Sequence, residues 1–206
     1  MVARTTKLVA VNMILSAAGE LPVTAITGTV SDGADSLLAQ NILEETSNNI
    51  QTIGWYFNTR IGPIDLVPAA SKITIADTIL RIEFYNYNDL TGYTIRDDAS
   101  VNRLYDLKNQ TFTITTTISV KSIIDLVQWI DLPEAARQYI AKKASRIFVD
   151  RHVSDPNLAR LTRQDEAEAM ALLMREQTQT SNPRVFGPDM AWIVDRGKPL
   201  DWVTNA

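Results

Sequence analysis

The chain has 206 residues, 45% of them hydrophobic and 21% charged, with a formal net charge of −4. That size suits one sizeable core or two small units, the lack of cysteine excludes disulfide frameworks and thiolate zinc sites, and a single histidine, His152, excludes polyhistidine metal sites. Scattered basic residues exclude a broad phosphate-binding face, and the densest group (Lys142, Lys143, Arg146, Arg151) reads as a solvated helix face.

Residues 5–18 read as a first helix, with Leu8, Val11, Leu15 and Ala18 on one stripe and Gly19 and Pro22 as its stop. The apolar run Leu8 to Ala18 is short and broken by Asn12 and Ser16, so it neither spans a membrane nor serves as a secretory signal; the expectation is synthesis in cytoplasm. After a loop over 20–31, Ser31 or Asp32 caps a second helix from Gly33 to Ile53. Leu38, Ile42, Ile50 and Ile53 face its core side; Asn41, Glu44, Glu45, Asn48 and Asn49 face water.

The end of that helix is the stretch around which the chain is organised. Gly54 stands where a helix stop needs positive φ, and Trp55, Tyr56 and Phe57 follow at once. Adjacent side chains alternate along an extended chain, so the three rings clamp two surfaces together at a joint between a helical half and a β half. The alternative is an aromatic platform for a ligand.

From 60 to 130 helical spacing gives way to alternation. Leu80, Ile82 and Phe84 share one face of a strand. Phe112, Ile114, Ile118 and Val120 share one face of another over Thr111–Val120, whose opposite face is Thr and Ser, either wet or meeting a neighbouring subunit. Short strands are expected at 93–95 and 103–105, with breaks at Gly62–Pro63, 86–92, 97–100 and 108–109.

Asp131, Pro133 and Glu134 form a capping-box arrangement at the head of a third helix, with Ala136, Tyr139, Ile140, Ala144, Ile147 and Phe148 inward and His152 near its C-terminus. Asp155 caps and Pro156 opens a fourth helix, with Leu158, Leu161, Ala169, Leu172 and Leu173 on its stripe; the pair packs antiparallel. From Thr178, prolines and glycines preclude long elements, yet Phe186, Trp192, Ile193 and Trp202 are costly to leave in water. Such a tail docks on its own body or on another subunit.

The fold class is α+β. A four-helix body is made by 1–59 and 131–180, a small antiparallel sheet is inserted at 60–130, and an extended tail occupies 181–206. No glycine-rich phosphate loop or nucleophile elbow is present, and no catalytic residue, cofactor or metal is assigned. The acid neighbours Asp97/Asp98, Asp131/Glu134 and Asp165/Glu166/Glu168 are accounted for by capping and solvation.

Four stretches in order resemble the tail tubular protein A family of T7-like short-tailed phages. They are Ala10 to Val23 with its Gly19-Glu20-x-Pro22-Val23 exit; Gln51-x-x-Gly54-Trp55-x-Phe57-Asn58; Arg103 to Asp106 followed by Gln110 to Phe112; and Leu132 to Arg137 continuing through Ala144 to Arg146 and Phe148 to Arg151. The segment Asp97 to Asn102 departs from the family by being longer than its Gly-rich link. The resemblance implies a structural virion protein of the tail, not an enzyme: an adaptor or gatekeeper forming a dodecameric ring between portal and tail nozzle (a tail tubular protein B-like partner). Genomic DNA passes through that ring without specific binding, and no membrane is involved. It also implies that the tail, through Phe186, Trp192, Ile193 and Trp202, reaches along the portal. Two other readings stay open: a tail-associated glycan hydrolase using Asp97/Asp98 against Asp125, and a cytoplasmic peptide-binding module using the aromatic joint.

Overall fold

The computed structural model describes residues 4–29, 33–85, 92–153 and 155–181. The tail residues Phe186, Trp192, Ile193 and Trp202 lie outside them, as do Ser31, Asp32 and most of the break expected at 86–92.

Thr6 caps α1 (Lys7–Ala17), its Oγ1 accepting from the Val9 N–H at 3.2 Å. The helix stops at Gly19, at φ +82, where Gly19 and Glu20 donate back to the carbonyls of Ser16 and Leu15 at 3.1 and 3.0 Å. Ala10, Val11, Ile14 and Leu15 are fully buried, so Leu8 and Ala18 fall at the margin of the stripe.

Helix α2 (Ala34–Gln51) begins after Gly33, which has no side chain to cap it. Its buried face is centred on Ala39, Leu43 and Ile50. Leu38 lies roughly a third of a turn away from that centre and Ile53 lies past the helix end, so both are exposed, against expectation.

The capping box of α3 (Glu134–His152) does not form. Pro133 occupies the cap position, and Asp131 belongs to a preceding 3₁₀ turn, Trp129–Asp131. The Glu134 carboxylate instead accepts from the N–H of Thr5 at 2.9 Å and from its hydroxyl, tying the head of α3 to the start of the chain. Asp155 does cap α4 (Pro156–Ser181), accepting from the Asn157 N–H at 2.8 Å. The two helices fold back on each other, with Lys142 2.7 Å from Asp165 and Arg146 paired with Glu166. Their contact is narrow: Ala169 and Leu173 are buried, whereas Leu161 and Leu172, expected inward, are exposed because no described element covers that side. The four helices and Trp55 enclose one apolar core around Ile14, Leu43, Ile140 and Phe148.

The β part has two sheets. One has the order β1 (Thr59–Leu66), β5 (Ile118–Asp125), β2 (Ile79–Phe84), all antiparallel; the other is the hairpin of β3 (Tyr93–Asp97) and β4 (Asn102–Asp106). Gly62–Pro63 does not break the chain as expected. It is taken up as a bulge in edge strand β1, where a missing N–H costs no ladder bond. The alternating segment 111–117 is irregular, and its strand starts only at Ile118, opposite Leu66. In β2 a register shift after Ile79 turns Ile79 rather than Leu80 toward the core with Ile82 and Phe84. The β3–β4 hairpin turns at Ala99 and Ser100, both at positive φ, which fits a primed two-residue turn. A second core of Ile73, Ile75, Leu104 and Ile114 lies among the strands.

Candidate functional site at the junction of helices and sheet

The chain leaves the helices at residues 51–58 and returns at 125–127, and two amide side chains join these crossings. Gln51, fully buried at the end of α2, pairs with Val127 as a strand would: Oε1 accepts from the Val127 N–H at 2.7 Å and Nε2 donates to the Val127 carbonyl at 3.1 Å. Asn58, also buried, donates through Nδ2 to the carbonyls of Gln51 and Asp125 at 2.8 and 3.0 Å. Its Oδ1 accepts from the Trp55 N–H at 2.7 Å. Every polar atom of these amides is thus engaged with backbone, which fixes both crossings at once.

Trp55 fills the space between them. It is 3% exposed, belongs to the helical core, and donates its indole N–H to the Ile50 carbonyl at 2.9 Å. A buried indole needs that acceptor. Gly54 makes the approach possible: at φ +88, a Cβ there would stand 2.6 Å from Cδ1 of Ile124 on β5. Tyr56 and Phe57 are half-buried and meet edge to face at 5.4 Å, with Phe57 packed against the helical core. Burial, then a hydrogen bond to Glu176 and that residue's negative charge, push the Tyr56 phenol up to about 12. Its backbone N–H donates to Gln177 Oε1 at 2.9 Å. The far end of α4 is therefore fastened to the junction. Beside it Arg60 grips Asp125 through two contacts of 2.6 and 2.9 Å.

Of the residues singled out in the sequence, Gly54, Trp55, Tyr56 and Phe57 lie together here. With Trp55 committed to the core, its ring offers no face to a ligand. Gln51 and Asn58 enter the sequence reading only as the two ends of the Gln51-x-x-Gly54-Trp55-x-Phe57-Asn58 element that carries the family resemblance, with no structural role, and that was their signal. Gln177 does not enter it and gave none, since buried polar residues follow no periodicity. A cleft of about 390 Å³ opens beside the junction between Lys7, Leu43, Gln51, Thr78, Val127 and Trp129.

The acids considered for glycan hydrolysis have other partners. Asp97 accepts from the Ser100 N–H at 3.1 Å in the hairpin turn, and Asp98 is held by Lys72 at 2.7 Å and by Arg103. The bond from Lys72, then that from Arg103 and both positive charges, outweigh burial and keep the Asp98 carboxyl below its usual range. A general acid needs the opposite shift. Asp125 is the residue gripped by Arg60. The basic group of α3 is likewise neutralised in part, Lys142 by Asp165 and Arg146 by Asp150 and Glu166. Among the described residues no helix is long and apolar enough to cross a membrane.

Among curated proteins, none matches the chain. The family described as tail tubular protein (Tube) matches residues 8–183, from the first turn of α1 to beyond the end of α4. The chain belongs to the tail tubular protein family and is a structural component of a phage tail.

Proposed function

We propose that the chain is the adaptor, or gatekeeper, of the tail: a ring of twelve copies between the portal and the tail nozzle through which genomic DNA leaves. The observation that carries this reading is the family match, which runs through all four helices and both sheets. The junction supports it, because a ring wall under DNA pressure needs subunits whose helical and β parts do not hinge. In this reading the helical segments 1–59 and 131–180 stack into the wall, the sheets of 60–130 meet neighbours, and residues 181–206 reach the portal through Phe186, Trp192, Ile193 and Trp202. The net charge of −4 suits a channel along which phosphates slide without pairing.

The role is mechanical and involves no catalysis or cofactor. Two experiments test this. Portal rings are mixed with the full chain and with a Trp192→Ala/Trp202→Ala variant and then sedimented; the wild type is expected to travel with the portal and the variant to be left behind. Wild-type chain remaining at the top of the gradient would contradict the proposal. A cell-wall turnover assay addresses the hydrolase reading, which requires activity in the wild type that Asp98→Asn or Asp125→Asn abolishes; none is expected.

A further inference from the structure

Three side chains from separate segments converge at one end of the helical body. Glu20 follows the α1 stop, Asp35 lies in the first turn of α2, and His152 is the last residue of α3. One ligand atom from each lies within 4.8 Å of the others. Nε2 of His152 stands 3.6 Å from Asp35 Oδ1 and 4.0 Å from Glu20 Oε1. These distances are too long for hydrogen bonds, which reach about 3.2 Å. They are close to what a shared ion requires. With bonds of about 2.0–2.2 Å, ligand atoms at the corners of a tetrahedron lie about 3.4 Å apart. Closure therefore takes a contraction of about 0.2 Å from Asp35 and about 0.6 Å from Glu20 to the imidazole, and at most about 1.4 Å between the two carboxylates, within reach of a rotamer adjustment of the half-exposed side chains.

The three groups are also held in place. The imidazole stacks on Phe148 with ring centroids 5.0 Å apart and planes inclined at 31°, and Phe148 is fully buried. The Glu20 N–H is fixed to the Leu15 carbonyl at 3.0 Å, and Asp35 rides on a helix. Among the described residues, neither carboxylate has a Lys or Arg partner; both face the imidazole alone. Two carboxylates and a neutral imidazole carry the charge of −2 that a divalent ion neutralises. The imidazole selects a first-row transition ion over magnesium or calcium.

We propose that Glu20, Asp35 and His152 bind one divalent transition ion of zinc type, with water completing the coordination. The ion ties the α1–α2 connection to the end of α3 and so locks three helices together at the end of the body. This site does not depend on the ring.

The chain has a single histidine, so in a tag-free, full-length preparation every imidazole NMR signal belongs to His152. Zinc chloride is expected to shift those signals until one equivalent is added and to raise Tm, while magnesium chloride does neither. Asp35→Asn and Glu20→Gln each weaken zinc binding by about tenfold or more, and His152→Ala abolishes the Tm rise. Imidazole signals that do not move with one equivalent of zinc overturn the site. So does a Tm rise of equal size in His152→Ala, or a titration unchanged by Asp35→Asn and Glu20→Gln, which would mean a lone surface imidazole. Should His152→Ala fail to fold, the wild-type titration and the Asp35→Asn comparison at a half-exposed side chain decide the matter.

Discussion

The backbone N–H of Tyr56 donates to the side-chain carbonyl of Gln177, residues 121 positions apart in sequence, at 2.9 Å. A bond that distant in sequence makes the end of α4 part of the junction between helices and sheet. Gln177→Ala should lower stability by about 1 kcal/mol, the usual worth of one such bond. Urea unfolding measures the loss, and amide exchange should show faster exchange at Tyr56 and over the last turns of α4. Unchanged exchange at Tyr56 would mean that the contact carries no load.

Gly54 is the most constrained position in the junction. Gly54→Ala combines a left-handed backbone, costing about 1–2 kcal/mol for a residue with a Cβ, with a contact 2.6 Å from Cδ1 of buried Ile124. A total loss of about 3 kcal/mol is expected. Ile124→Val removes the offending methyl and alone costs about 1 kcal/mol. The double variant should therefore lose less than the sum of the two, which a double-mutant cycle in urea measures.

Arg137 is 3% exposed and donates to the carbonyls of Thr5 and Leu132, each at 2.9 Å, and of Ile130 at 2.5 Å. Arg137→Met takes this donor from all three carbonyls, of which Thr5 keeps the Trp129 indole N–H at 3.1 Å, and should cost about 3 kcal/mol. Thermal unfolding followed by circular dichroism gives the number, and a loss below half of it would show that water replaces the guanidinium.

Acid should weaken the fold at a named place. Burial raises the Glu134 carboxyl, but bonds from Gln138 and Thr5 and the Arg137 charge outweigh it and hold it below its ordinary value. Asp106 is held low by the Asn109 N–H first, and then, against burial, by the Asn109 side chain and the Lys108 N–H. A depressed folded pKa adds stability above the unfolded carboxylate range, about pH 4, and that stability is lost as pH falls through the folded values. Urea midpoints should drop between about pH 4.5 and 3, and less steeply in Glu134→Gln. Equal slopes in the two proteins would remove Glu134 from the cause.

What the sequence reveals depends on whether local chemistry decides the outcome. The α1 stop at Gly19 and the Asp155 cap of α4 are legible because each is settled within a few residues. The capping box at Asp131 and Glu134 fails because a residue 129 positions away, Thr5, competes for the same carboxylate. Alternation from Thr111 marks which residues turn inward, Ile114 among them, but not where pairing begins, which partner strand β1 sets at Ile118. Leu38, Leu161 and Leu172 sit at helical spacing, yet spacing names a face and not what covers it. The junction was legible in its aromatics, whereas Gln51 and Asn58, which secure it, stood out only as ends of the family-like element, because no periodicity tells which backbone groups a buried amide will bind.

Electron microscopy of the full chain, alone and after mixing with its portal, tests the adaptor reading most directly. The reading predicts closed rings of twelve subunits, either free or seated on the portal, with a central channel wide enough for duplex DNA. A chain that stays monomeric in both samples and leaves the portal bare would contradict it.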